Sequence, residues 1–152
     1  MSPSAEEGRL EMKARTRPVV EGLFIETETG LRLSGSRCKT CRTPYFPAAA
    51  HCHNPGCAGS EMEPAQFGPR GTLWSHTIQN FPPPTPSKYD APFNPYAVGV
   101  VDLTQDGLRV LAQIVADDPR QVRSGAEVEL VLAPLYRDED GVEVVTWKAR
   151  QL

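Results

Sequence analysis

Apolar and polar residues alternate along several segments of the second half of the chain, a pattern that predicts β-strands. Within residues 126–136, Val128, Leu130 and Leu132 alternate with positions that include two glutamates. Residues 72–81 are rich in β-branched and aromatic side chains and have no helical period. Five strands are predicted in all, over residues 72–81, 96–103, 108–116, 126–136 and 142–150.

The connections between these segments predict a small barrel. Asp106-Gly107 separates two apolar runs, and an Asp-Gly pair in that position indicates a β-hairpin. The order is a single strand, a connection, a hairpin, a second connection and a second hairpin. A closed five-stranded barrel of the OB-fold type satisfies this order and leaves no open sheet edge. We therefore predict a mainly β protein whose OB-fold barrel occupies residues 68–152.

The first part of the chain is predicted to hold a tail and a second, smaller module. Residues 1–18 are polar and charged and lack apolar periodicity, so we expect a flexible tail. Residues 19–67 contain a predicted hairpin around Thr29-Gly30 and an apolar strand at residues 45–47. All four cysteines of the chain fall in this module.

The cysteines have the spacing of a metal site. Cys38 and Cys41 form a C-x2-C pair, Cys52 and Cys57 form a C-x4-C pair, and ten residues separate the pairs. Two close pairs joined by a short loop indicate a rubredoxin-like zinc ribbon with four thiolate ligands, and iron would suit the same ligands. Disulfides are the alternative. A bridge between the first two cysteines would close a very tight loop, and no segment resembling a signal peptide precedes them, which predicts a cytoplasmic protein.

The metal is predicted to be structural. Four thiolates complete a tetrahedral shell and leave no position for a catalytic water. We therefore expect His51 and His53, which flank Cys52, to be surface residues. The formal net charge is −3 and the sixteen Lys and Arg residues are scattered, which disfavours binding to a nucleic-acid backbone. No apolar run approaches the ~20 residues that span a bilayer.

Residues 81–95, FPPPTPSKYDAPFNP, contain six prolines and are called the proline-rich loop below. Proline lowers the entropy cost of holding an extended loop in one conformation. One interpretation is a rigid strap over one mouth of the barrel, and another is a docking surface or ligand gate. The two interpretations are compatible. The candidate partner-docking residues are Phe81, Tyr89, Phe93 and Tyr96.

The run GSRCKTCRTPYFP, followed by CHNPGC and FGPRGTLWSHTI, resembles a known family. It is similar to the zinc-ribbon and OB-fold proteins associated with acyl-CoA enzymes, long catalogued as a domain of unknown function. The resemblance covers about residues 20–150. This sequence departs from the family in two places: Arg42 stands where the first knuckle normally has glycine, and Asn54 and Pro55 lengthen the second knuckle.

The resemblance implies a non-catalytic subunit that accompanies a thiolase-superfamily enzyme, such as a thiolase or a steroid side-chain aldolase. The catalytic groups then belong to the large subunit, and a two-plus-two assembly is expected because thiolase-like partners are commonly dimeric. A coenzyme A thioester is the expected shared ligand. Its phosphates need cations, and the candidates for that contact are Arg37, Lys39, Arg42 and Arg70.

The residues themselves do not indicate an independent active site. The cysteines are assigned to the metal, and His76, the one histidine outside the ribbon, has no evident partner. We expect Trp74 and Trp147 to lie in the barrel core. The alternative function is binding of single-stranded nucleic acid through stacked aromatic side chains. A rubredoxin-like electron carrier is a third hypothesis.

Overall fold

The computed structural model describes residues 15–59 and 61–152, and nearly all regular secondary structure in this part of the chain is β-strand. A single turn of 3-10 helix, Pro119–Gln121, interrupts the strands. The strands are β1 (Thr16–Pro18), β2 (Phe24–Thr27), β3 (Gly30–Cys38), β4 (Pro44–Tyr45), β5 (Met62–Phe67), β6 (Arg70–Gln79), β7 (Tyr96–Leu103), β8 (Leu108–Val115), β9 (Glu127–Arg137) and β10 (Glu143–Gln151).

Strands β6 to β10 close into a barrel. β6 pairs with β7, β7 with β8, β9 with β10 and β9 with β6, all antiparallel, while β8 and β10 run parallel. Ala97, Val101 and Leu103 alternate into the interior and are fully buried. The closed order β6-β7-β8-β10-β9 confirms the predicted five-stranded OB-fold, and every predicted strand end lies within two residues of the observed one.

The ribbon is a small antiparallel sheet centred on β3. β2 and β4 pair along one edge of β3, and β5 pairs along the other edge. The predicted hairpin around Thr29-Gly30 is confirmed as the β2–β3 turn. β5 was not among the predicted strands, and it contains Pro64, a residue type that is rare inside a sheet. Pro64 lies opposite Ser36 of β3.

The ribbon and the barrel share one hydrophobic core. Leu33 and Phe67 of the ribbon are fully buried in the same cluster as Val128 and Leu130 of the barrel. Trp147 packs against this cluster, with ring centroids 6.1 Å from Phe24 and 5.3 Å from Phe46. The metal module is therefore built onto the barrel, and Trp147, which we expected inside the barrel core, is partly buried and packs against the core cluster.

Two expectations are wrong at particular residues. Thr16–Pro18 belongs to the predicted tail, yet it forms β1 and pairs in parallel with residues 143–145 of β10; residues 1–14 of that tail lie outside the described residues. Trp74 is 57% exposed, with the Arg109 guanidinium 4.4 Å above its ring. A register shift between Leu73 and Ser75 interrupts the alternation of β6 and turns the indole outward.

Within the described residues, no helix has the length and apolar character needed to cross a bilayer.

Candidate metal centre

Two loops bring the four cysteines together. Cys38 is the buried last residue of β3, and Cys41 follows in a tight turn, where the Arg42 N–H donates to the Cys38 carbonyl over 3.0 Å. Cys52 and Cys57 lie in the loop between β4 and β5, and the Cys57 N–H donates to the Asn54 carbonyl over 3.0 Å. Each loop thus projects two thiols toward the same point.

The sulfur positions fit a tetrahedral metal ion. All four Sγ atoms lie within 4.8 Å of one another, with 3.8 Å between Cys38 and Cys57 and 3.6 Å between Cys41 and Cys52. A zinc–sulfur bond of about 2.3 Å places tetrahedral ligands about 3.8 Å apart, whereas a disulfide needs about 2.05 Å. All four cysteines are free thiols and form no disulfide, and the four predicted zinc ligands lie together in one cluster.

Hydrogen bonds support the sulfurs from outside the shell. The Thr43 hydroxyl lies 3.1 Å from Cys41 Sγ, and the Gly59 N–H donates to Cys57 Sγ over 3.3 Å. The Tyr45 hydroxyl accepts the His53 N–H over 2.8 Å and lies 3.3 Å from Cys52 Sγ. Because its oxygen already accepts a bond, the tyrosine proton is free to point at the sulfur. Such donors orient metal ligands and stabilise their thiolate form.

The surroundings of Cys41 and Cys57 move the pKa values of these two thiols in opposite directions. The Thr43 hydroxyl is the main cause that lowers the pKa of Cys41 to about 6. The Gly59 N–H lowers the pKa of Cys57, but burial and the neighbouring sulfurs outweigh it and raise that pKa to about 11. Crowded thiolates repel one another, and a bound cation removes that repulsion. The donor set therefore fits a divalent ion held for structural purposes.

The departure from the family at Arg42 has a structural explanation. Arg42 has φ of 65°, and it is the one residue other than glycine with a positive φ among the described residues. The left-handed region favours glycine, which has no Cβ to clash with the following carbonyl. Arg42 keeps the turn shape and places its side chain in an ion pair with Glu63. The ligand geometry is unaffected.

His51 and His53 are exposed and lie outside the thiol cluster, as predicted. His53 contacts Tyr45 edge to face, with ring centroids 5.6 Å apart. The closed four-sulfur shell leaves both imidazoles free of the metal.

The cations considered for coenzyme A phosphates already have partners in the folded chain. Lys39 pairs with Glu61 at 3.4 Å, Arg42 with Glu63, and Arg70 with Glu129 at 3.7 Å. Arg37 donates to the carbonyls of Arg42, over 2.7 Å, and Asp106, over 3.2 Å, and its guanidinium lies 5.5 Å from the Phe67 ring centroid. Arg37 therefore joins the ribbon to the barrel. The other three are exposed ion pairs, which contribute little to stability.

The proline-rich loop is mostly exposed. Phe81 is 76% exposed, whereas Tyr89, Phe93 and Tyr96 form a series of edge-to-face contacts with centroids 5.5 and 6.1 Å apart. The Arg137 N–H donates to Asp90 over 2.8 Å and ties the loop to β9. The aromatic series gives the loop an ordered apolar surface beside the barrel.

His76 has a partner that the sequence did not reveal. Its Nδ1 lies 2.7 Å from the hydroxyl of Ser124, which precedes β9 and is 48 residues away in sequence. Among the described residues, no carboxylate hydrogen-bonds to the His76 ring. A serine activated for catalysis needs a base that a third group orients. The pair is an exposed contact of the barrel surface.

Fold and site together define the class: an all-cysteine zinc ribbon built onto an OB-fold barrel. The family description "ChsH2, rubredoxin-like zinc ribbon domain" matches residues 31–63, and "ChsH2, C-terminal OB-fold domain" matches residues 65–133. The chain belongs to this ChsH2 family.

Individual relatives agree with that assignment. A DUF35 domain-containing scaffold protein of Methanothermobacter thermautotrophicus is 35% identical over 72% of this chain and 79% of its own. The benzoylsuccinyl-CoA thiolase subunit BbsA of Thauera aromatica is 34% identical over 79% of this chain and 76% of its own. A solved chain of the Ltp2-ChsH2(DUF35) aldolase superposes with a TM-score of 0.58 at 26% identity, covering 79% and 84% of the two chains. By name, these relatives are a scaffold protein, a thiolase subunit and a chain of an aldolase.

Proposed function

We propose that this chain is a non-catalytic, zinc-binding subunit that docks on a thiolase-superfamily partner. In that complex it supports the cleavage or formation of a carbon–carbon bond in a coenzyme A thioester, by a thiolase or retro-aldolase reaction. The observation that carries the proposal is the similarity, over about four fifths of the chain, to a thiolase subunit and to a chain of an aldolase complex.

The geometry supports a non-catalytic role. Four sulfurs close the metal shell, so a substrate or water has no coordination position. The His76–Ser124 pair is exposed and has no orienting carboxylate in the part of the chain that the structure describes. The reacting groups are therefore assigned to the partner.

The exposed apolar side chains support docking. Phe81 of the proline-rich loop is 76% exposed and Leu111 on the outer face of β8 is 67% exposed. Exposed apolar surface marks protein interaction sites, and Phe81 is the most exposed large hydrophobic side chain among the described residues. We assign the partner contact to the proline-rich loop, with Phe81 and the Tyr89–Phe93–Tyr96 series as its core, and we expect a two-plus-two complex.

The proposal also includes direct contact between this chain and the phosphates of coenzyme A. Lys39, Arg42 and Arg70 are exposed and exchange a carboxylate partner for a phosphate at little cost. Arg70 also lines a cavity of about 280 Å³ at one end of the barrel. Arg37 is assigned an indirect role, since its guanidinium holds the ribbon against the barrel. The four free thiols suit a reducing compartment, and we place the complex in the cytoplasm.

Purification of the tagged chain from its native host, with identification of the co-purifying protein, tests the docking proposal. We expect a thiolase-superfamily subunit whose activity on an acyl-CoA falls when the chain is left out of the reconstituted pair. Phe81→Asp should abolish capture, whereas Ile25→Asp, which alters a 48% exposed residue of the ribbon, should not. A partner from another enzyme class, or a large subunit fully active alone, would refute the proposal.

Nucleic-acid binding is distinguished by its salt dependence. Eight ion pairs among the described residues place a carboxylate beside a lysine or arginine, which weakens the positive field that a nucleic-acid backbone requires. An oligonucleotide affinity that falls steeply between low and physiological salt would favour that alternative.

A further inference from the structure

A groove crosses the outside of the barrel beneath the proline-rich loop. Three cavities of about 190, 360 and 330 Å³ adjoin one another there, and all three are lined by Gln113 of β8 and Leu135 of β9. We call this surface the barrel groove. Its size falls in the range of small-molecule sites, which are about 300–1,000 Å³.

One end of the barrel groove is apolar. Val98, Leu111 and Ala112 line it together with the ring of Trp147. The Trp147 indole N–H donates to the Leu111 carbonyl over 3.0 Å, so the polar atom of the ring is already satisfied. Most of the surface exposed at this end is hydrocarbon and an aromatic ring, with Gln113 and Thr146 as the polar lining residues, and such a surface favours an apolar ligand group.

The other end carries two unpaired cations. Lys88 of the proline-rich loop and Lys148 of β10 line the same cavity of about 190 Å³. Within residues 15–59 and 61–152, neither ammonium group forms an ion pair or a hydrogen bond. Burial lowers the pKa of Lys148, since the surroundings disfavour its charged form. Lys148 is partly buried, and an ammonium group in such surroundings without a partner costs free energy that a bound anion would offset.

The cavity that Lys88 and Lys148 line is called the cationic cavity below. Its walls favour a flat or apolar group next to the anionic group of a ligand. Tyr89, Phe93 and Tyr96 form one wall and present aromatic surface to the cavity. The one carboxylate there, Asp90, already accepts the Arg137 N–H over 2.8 Å. Two ammonium groups against one engaged carboxylate leave the cavity with a net positive charge.

We propose that the barrel groove binds a small amphipathic organic anion. Its carboxylate or phosphate group pairs with Lys88 and Lys148, and its apolar body extends past Leu135 onto Leu111 and Trp147. The cationic cavity is bounded by the loop on one side and the barrel on the other, which admits a head group but not a folded protein surface. This proposal does not depend on the identity of the partner enzyme.

Two dyes of nearly the same shape test the proposal on the zinc-loaded chain. 8-Anilinonaphthalene-1-sulfonate carries an anionic head on an apolar body, and N-phenyl-1-naphthylamine is the same body without the charge. Fluorescence titration should show that Lys88→Met and Lys148→Met each weaken binding of the sulfonate about tenfold and leave the neutral dye unchanged. Arg120→Met, which removes an exposed cation of the 3-10 turn outside the barrel groove, is the matched control and should change neither dye.

Urea unfolding of each variant separates lost binding from lost structure. Lys88 is exposed, so Lys88→Met should unfold at the wild-type midpoint and remains informative even if Lys148→Met misfolds. Equal affinity of the sulfonate for wild type and Lys88→Met would overturn the proposal, as would parallel losses for both dyes. If the sulfonate does not bind and the lysine variants instead lose capture of the partner subunit, the anion is an acidic protein segment and the small-molecule site is refuted.

Discussion

Replacement of Leu33 by alanine is predicted to destabilise the metal module and the barrel together. Leu33 lies in the ribbon, is fully buried, and belongs to the cluster that contains Val128 and Leu130 of the barrel. The change removes three carbon atoms at about 0.8 kcal/mol each, and the remaining cavity adds to that loss. We expect a decrease of about 3–4 kcal/mol in the free energy of unfolding.

The assay follows the two modules separately in one urea titration. In a Trp74→Phe background, Trp147 is the single tryptophan and reports the ribbon–barrel junction, while a chromogenic chelator reports zinc release. With a denaturant slope of about 2 kcal/mol per molar urea, both midpoints should fall by about 1.5–2 M. The two signals should stay coincident, as for a single cooperative unit.

Leu111→Ala is the matched control, because Leu111 is the same residue type but 67% exposed. Its free energy of unfolding should stay within about 0.5 kcal/mol of the wild-type value. If Leu33→Ala released zinc earlier while the tryptophan transition stayed in place, the modules would be independent and the shared core would not couple them.

Thr43→Val and Tyr45→Phe should each weaken zinc affinity about tenfold or more in chelator competition, because each removes a donor to a ligand sulfur; unchanged affinity would contradict that role. Arg42→Gly should be about 1 kcal/mol more stable in urea than Arg42→Ala, since both lose the ion pair but only alanine keeps a Cβ in left-handed backbone; equal stability would count against strain there. The backbone N–H of Val142 is the main cause that holds the pKa of Asp138 below its usual range. The ionised Asp138 carboxylate therefore stabilises the fold fully above the pKa of the unfolded state, about 4, and this stabilisation is lost as the pH falls through the lowered pKa of the folded state. The difference in urea midpoint between wild type and Asp138→Asn should therefore shrink on acidification, and a constant difference would refute the assignment.

The strands and the metal ligands could be predicted because their signals are local. The alternation of Val128, Leu130 and Leu132 is a property of eleven consecutive residues of β9, and the cysteine spacing by itself specifies two converging pairs. The first two of these side chains are buried, whereas Leu132 remains 37% exposed where the strand passes the junction with the ribbon.

The features that escaped prediction depend on contacts between distant residues. Thr16–Pro18 has no apolar pattern and becomes a strand only because the edge of β10 is free to accept it. Trp74 points outward because of a β-bulge between Leu73 and Ser75, and the sequence of β6 does not indicate that bulge. Ser124 meets His76 only when the barrel closes. The unpaired state of Lys148 is likewise visible only once the loop and β10 are seen together.

Metal analysis of the freshly purified, untreated chain tests the central claim most directly. The account predicts one zinc ion per chain and four cysteines that become reactive toward a thiol reagent only after chelation. If the analysis found one iron ion per chain and a coloured protein, the fold would stand and only the identity of the metal would change. A metal-free, folded protein with its cysteines oxidised in pairs would contradict the account.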